Sequence, residues 1–157
     1  LSLRPVRGLA GWLTPRAFVR RMAARDRAGA VRELVAAVAQ PGVDVEPAVQ
    51  AVLAREDSAP TGVGRGLALP HARLPGLPAP LVALGISEDG IPFEAADGAP
   101  ARIVVLLLTP GDAEDEHLGL MAQILRELAD PAVQRQIIAA KGYTELIALL
   151  RAGTVAE

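Results

Sequence analysis

Six aliphatic residues in a row, Ile103-Val104-Val105-Leu106-Leu107-Leu108, stand between Arg102 and the breaker Thr109-Pro110-Gly111. A run this short and this uniformly apolar, bounded by a turn signal, suits a β-strand covered on both faces. Covering both faces takes helices, and the flanking sequence supplies them. From Asp26, a candidate N-cap, Val31, Leu34, Val35 and Val38 recur at helical spacing up to Gln40-Pro41-Gly42. A second helix starts near Glu46-Pro47, carries Val45, Val49, Val52 and Leu53 on one face, and closes at Arg55. After the apolar run, a helix begins near Glu114 or Asp115, with Leu118, Met121, Ile124, Leu125 and Leu128 as its apolar face. Asp130-Pro131 starts another that ends at Lys141-Gly142, and Thr144 can cap a last one bearing Leu146, Ile147, Leu149 and Leu150.

Between the two helical blocks, Leu67-Ala68-Leu69 reads as a short strand ended by Pro70, which has no amide to donate. Residues 71–80, with Pro75, Pro78 and Pro80, read as a loop, and Leu81–Ile86 as a strand. Ala17–Met22 is a further candidate strand. Strands in the middle with helices on either side predict an α/β fold. Its form is a three-layer sandwich, a mixed sheet of about five strands flanked by helices on both faces. The 157 residues suit one domain. We place an irregular N-terminal segment at 1–15, the domain at 16–152 and a tail at 153–157. The chain begins at Leu1 rather than Met, which leaves a trimmed chain or a fragment of something longer open.

Composition removes several function classes. There is no cysteine, hence no disulfide, thiolate nucleophile or zinc–sulfur site, and nothing requires an oxidising compartment. No apolar run is long enough for a membrane span, and arginines interrupt the N-terminal stretch where a signal core would lie. A cytoplasmic protein without direct membrane insertion is expected. Residues 1–35 hold eight arginines against Asp26 and Glu33. No stacking aromatics are interleaved with them, so a solvated basic face is expected rather than a nucleic-acid site.

Chemistry has few places to reside. The only histidines are His71 and His117. His71 follows a proline-terminated strand and opens a loop, where reactive groups are presented. His117 falls in the first turn of a helix, and taken alone is more simply a surface or core residue. The segment Thr61-Gly62-Val63-Gly64-Arg65-Gly66 precedes a strand instead of linking strand to helix, so it is no dinucleotide fingerprint, and no P-loop occurs. It is either a flexible turn or a nest of backbone N–H groups able to hold a phosphate oxygen. A zinc site lacks short ligand spacing, and none of the three serines sits in a nucleophile elbow. No metal or cofactor is expected.

The stretch Arg55-Glu56-Asp57-Ser58-Ala59-Pro60-Thr61-Gly62-Val63-Gly64-Arg65-Gly66-Leu67-Ala68-Leu69-Pro70-His71-Ala72-Arg73 resembles the signature of the type-2 IIA domains of the bacterial phosphoenolpyruvate-dependent phosphotransferase system. That group includes mannitol, fructose and nitrogen-regulatory forms. The pattern is an R-E block, T-G-x-G-x-G, a short apolar strand and P-H, with a second histidine at a later helix start, here His117. The resemblance runs from about residue 16 to residue 152. Two positions depart from it: Arg65, where asparagine is common, and Ala72, where glycine is common.

The resemblance implies a phosphotransferase component in which His71 accepts a phosphoryl group from a phosphohistidine carrier protein. It implies that Arg55 meets the phosphoryl oxygens and that His117 hydrogen-bonds the phosphoryl group or the acceptor ring. Thr61 and the amides around Gly62 and Gly64 would supply further donors. Arg73 has no motif behind it and is read as a surface cation. The acceptor would be a IIB domain or a regulated protein. Three other readings stand beside this: a nitrogen-type regulatory module, a IIA domain cut from a larger transporter or regulator, and a metal-dependent hydrolase using both histidines. For His117, the helix N-terminus disfavours imidazolium and the acids at 112–116 favour it; sequence leaves the balance open.

Overall fold

A computed structural model describes residues 8–155, with side chains through residue 152. Six α-helices and six strands alternate in the order α1 (Leu9–Trp12), β1 (Phe18–Val19), α2 (Arg27–Ala37), α3 (Val45–Ser58), β2 (Gly62–Gly64), β3 (Leu67–Ala68), β4 (His71–Leu74), β5 (Leu81–Ile91), β6 (Ala101–Pro110), α4 (Glu114–Leu128), α5 (Pro131–Ala139) and α6 (Tyr143–Val155). The strands form one mixed sheet in the order β1-β5-β6-β3-β2, with β4 also paired to β6. Helices α2 and α3 pack together as one layer; α4, α5 and α6 form the other. This is the α/β sandwich expected, with one strand more than the five read from sequence.

β6 is the aliphatic run, and all six of its residues Ile103–Leu108 are fully buried. It pairs antiparallel with β5 on one side, Leu84 facing Val105. Its other edge is shared by two short parallel strands: β3 meets it at Ile103 and Val104, and β4 meets it from Leu107 to Pro110. Pro70 lies at the join. It gives no N–H, yet its carbonyl still accepts from the Leu107 N–H at 3.1 Å. The strand expected to stop at Pro70 therefore resumes as β4. Residues 71–74, read as the start of a loop, are strand because β6 continues past the proline and offers them its unpaired edge.

Other boundaries shift for similar reasons. Asp26 caps α2 by accepting from the Gly29 N–H at 2.7 Å, as expected. α3 continues past Arg55 to Ser58. α6 begins at Tyr143, so Thr144 is not its cap. On α4 the buried positions are His117, Leu120, Ile124 and Leu128, whereas Leu118 is 58% exposed. The segment 1–15, expected to be irregular, contains the helical turn α1. Leu9 and Ala10 bury against α6 and α4, the Leu9 N–H donates to Glu127 at 2.9 Å, and the Tyr143 hydroxyl donates to the Leu13 carbonyl at 2.9 Å. Those anchors outweigh the glycine and proline breakers; residues 1–7 lie outside the described residues. At the other end α6 keeps its helical backbone to Val155, beyond the boundary drawn at 152, and residues 156–157 lie outside the described residues.

The β2–β3 hairpin explains three glycines. A Cβ on Gly62 would sit 2.6 Å from the Phe93 carbonyl oxygen and 2.9 Å from the Ala95 nitrogen, so the crossing of these two backbones requires glycine. At the hairpin tip Gly64, Arg65 and Gly66 all have positive φ. We predict that Gly62→Ala lowers the unfolding free energy by about 1–3 kcal/mol, as overpacking against rigid backbone does. Urea denaturation monitored by circular dichroism measures it.

Candidate functional site

Arg55, His71 and His117 line one cleft of about 550 Å³. Three elements deliver them. On α3, Ala51, Ala54, Arg55 and Ser58 form a single helical stripe facing the cleft, small residues around one long cation. On β4, alternation sends His71 and Arg73 to the same side. On α4, Glu114, His117 and Leu118 occupy the first turn. A second depression of about 290 Å³ adjoins through Arg55 and His71, and is lined by Thr61, Gly62, Val63, Leu69, Met121 and Leu125 among others.

His71, expected on an exposed loop, is only 6% exposed, because it belongs to β4 and sits between α3 and α4. Its Nδ1 lies 2.8 Å from the Leu69 carbonyl oxygen. A carbonyl can only accept, so Nδ1 carries the proton and Nε2 holds the free lone pair. That Nε2 is buried without a hydrogen-bond partner. The His117 ring neighbours the His71 ring, centroids 5.0 Å apart and planes tilted by 58°. His117 is itself 6% exposed, and its Nδ1 is 2.6 Å from the Thr109 hydroxyl at the end of β6.

Both rings are shifted toward the neutral form. Burial pushes the His71 pKa down, and Arg55 adds to this against the Leu69 carbonyl. For His117, burial followed by the charges of His71, Arg73 and Arg55 lowers the pKa to about 4. The acids of the first turn do not prevail, since Glu114 is turned toward Arg73, at 3.9 Å.

The remaining sequence candidates separate. The Thr61 hydroxyl and N–H both donate to the carboxylate of Glu56, which is fully buried and whose pKa burial raises. Thr61 thus fixes the loop after α3 and offers neither group to the cleft. Gly62 borders the second depression only. Gly64 lies at the hairpin tip against Asp97, away from both histidines. Of the amides in this segment, that of Arg65 meets Asp97, whose carboxylate accepts from it at 2.8 Å and from the Ala99 N–H at 3.0 Å. Ala72 lines the cleft beside His71.

Arg73, read as a surface cation, is exposed and also lines the rim of the cleft, on the same side of β4 as His71. Sequence reasoning missed one residue here. Thr109 carried no sequence signal beyond its place beside a turn. Among the described residues no three His, Asp or Glu side chains gather as a metal site.

A family model described as "Phosphoenolpyruvate-dependent sugar phosphotransferase system, EIIA 2" matches residues 12–153. The chain belongs to this EIIA type-2 family. It is 32% identical over 139 residues to a nitrogen regulatory protein of Bradyrhizobium diazoefficiens, covering 88% of this chain and 91% of that one. It is 35% identical over 98 residues to a fructose-specific EIIA component of Haloferax volcanii, covering 62% of this chain and 64% of that one. It spans 20% of the length of a fructose-specific EIIABC component of Bacillus subtilis and 54% of a nitrogen regulatory protein of Pseudomonas aeruginosa. The fold matches the crystal structure of IIA-Ntr from Neisseria meningitidis with a TM-score of 0.84 at 22% identity, over 90% of this chain and 98% of that one. It matches IIA mannitol from Escherichia coli at 0.76 and 23%, over 88% and 98%. Among the described residues no helix is long and apolar enough to cross a membrane.

The depressed histidine pKa has a stability consequence. An unfolded histidine titrates near 6.5 and folded His117 at about 4, so the unfolded chain binds more protons between them. The stabilisation from neutral His117, which faces His71, Arg55, Arg73 and Glu114, is complete above 6.5 and lost as pH falls toward 4. Urea midpoints should drop across that window and drop less in His117→Gln. Comparing the two chains isolates His117 from Glu56, whose raised pKa slopes stability the opposite way.

Proposed function

We propose that the chain carries a phosphoryl group on His71 Nε2, taken from a phosphohistidine carrier protein and passed to a IIB domain or read by a regulated protein. The observation that carries this is the state of His71: a neutral imidazole whose Nδ1–H is committed to the Leu69 carbonyl, leaving an unpartnered Nε2 inside a cationic cleft. In the transfer, the Nε2 lone pair forms the bond to phosphorus. The bond from phosphorus to the donor's imidazole nitrogen breaks, and its electron pair returns to that nitrogen. No proton has to move at His71. Little covalent help is needed beyond in-line placement and charge for three oxygens, and the guanidinium of Arg55 suits the latter. His117, neutral, can hydrogen-bond the transferred group through its one ring N–H.

Nε2 is shielded from solvent, so the cleft walls must part for the donor and can close again over the product, keeping water away from a labile P–N bond. A protein partner accords with the rim. Val63 and Leu118, the large apolar side chains that stand exposed among the described residues, border the two depressions on either side of His71. A solved relative of the same fold is described as a complex of IIA mannitol with phosphorylated IIB mannitol.

A regulatory output is a second reading, favoured by the Bradyrhizobium nitrogen regulatory protein, to which the chain aligns along nearly the whole length of both. The phosphoryl group brings up to two negative charges to the cleft, enough to remake a docking surface.

Incubation with phosphoenolpyruvate, the first enzyme of the system and its histidine phosphocarrier tests the reaction class and the residue together. An acid-labile phosphoryl adduct is expected by intact mass, absent in His71→Ala; label uptake by that variant at the wild-type rate would refute the site. Arg55→Ala and His117→Ala should remain folded and transfer more slowly by about 10²–10³-fold, the loss typical of one charge-stabilising donor.

A further inference from the structure

Thr109 is fully buried, and the hydrogen bond described for its hydroxyl among the described residues is the one to His117 Nδ1. A buried hydroxyl has one proton to place and needs an acceptor for it. If Nδ1 carried a proton, it would donate to Thr109 and leave the hydroxyl proton without a partner. If Nδ1 is bare, the hydroxyl donates to it and both groups are satisfied. From this we infer that Thr109 is a positioning residue: its Oγ–H donates to His117 Nδ1, which puts the remaining proton on His117 Nε2, where it can donate to a phosphoryl oxygen on His71.

The consequence is chemical. Phosphoryl oxygens accept hydrogen bonds and carry negative charge. A His117 with a bare Nε2 would turn a lone pair toward them, while the Nε2–H tautomer turns a donor. Burial and the neighbouring cations disfavour imidazolium, so a neutral ring must have the correct tautomer to help at all. The two histidines then carry opposite tautomers, each set by a group of the sheet: Leu69 before β4 requires Nδ1–H on His71, and Thr109 in β6 requires Nε2–H on His117. This rests on His71 being the phosphoryl acceptor.

The test is ¹⁵N NMR of the imidazole nitrogens in the unphosphorylated full chain at neutral pH, together with phosphoryl transfer rates. Expected are Nδ1–H for His71 and Nε2–H for His117. Thr109→Val should shift His117 toward the Nδ1–H form and slow transfer to His71 by about 10- to 100-fold, the usual loss when a histidine's orienting partner is removed. Thr109→Ser, which restores the hydroxyl, should recover both the tautomer and most of the rate. Nδ1–H on wild-type His117, with His71 still phosphorylated, overturns the role of Thr109 alone. So does a Thr109→Val chain with unchanged tautomer and rate, or a Thr109→Ser chain that recovers neither. A wild-type chain that takes up no phosphoryl group overturns this inference and the proposed function together.

Discussion

Two short strands share one edge of the central strand, and Pro70 is where they meet. β6 must satisfy its backbone along its whole buried length, because no water reaches it. β3 serves the first part and β4 the second, with the Pro70 carbonyl bridging the gap. The interruption leaves the preceding carbonyl, that of Leu69, available to a side chain, and the His71 ring takes it. Strand pairing, a missing amide and an imidazole tautomer are thus consequences of one another. Moving the proline by a single position would turn the next side chain to the other face of the sheet.

The electrostatics of the cleft follow from what surrounds it. Two imidazoles in contact cannot both be charged cheaply, and Arg55 and Arg73 add to the penalty. The cleft therefore sets guanidinium charge beside uncharged ring nitrogen, a division of labour that would suit the dianionic phosphoryl group proposed for it. Glu114, 3.9 Å from Arg73 at the rim, offsets part of this charge.

Much of the architecture was legible in the chain because its core signals are strong. The aliphatic run of β6 was read directly, and the helical periodicities of α2 and α3 were clear. Asp26 and Asp130 cap as their residue type suggests. The failures share a cause: tertiary pairing overrode a local breaker. Pro70 looked like an end and was a join. Gly8 and Gly11 looked irregular, yet one caps and the other lies within a helical turn held by Glu127 and Tyr143. At the site, the histidines and Arg55 came from a long and specific motif, and the geometry brings them to one cleft. Thr61 and Gly64 belong to the same motif but serve the scaffold here, one tied to buried Glu56 and the other packed against Asp97. Motif membership alone does not distinguish a residue that meets a ligand from one that holds the loop around it. Thr109 shows the converse: no motif marks it, and the fold brings its hydroxyl to His117 across the β6–α4 connection.

Asp97 fastens the hairpin tip to the chain between β5 and β6. Its carboxylate accepts from the Arg65 N–H, 32 positions away in sequence, and from the Ala99 N–H close by. Gly64, Arg65 and Gly66 all take left-handed backbone there. A single side chain thus clasps a glycine-rich crest to a distant stretch of the chain, so the shape of the crest depends on a residue outside the motif that contains it.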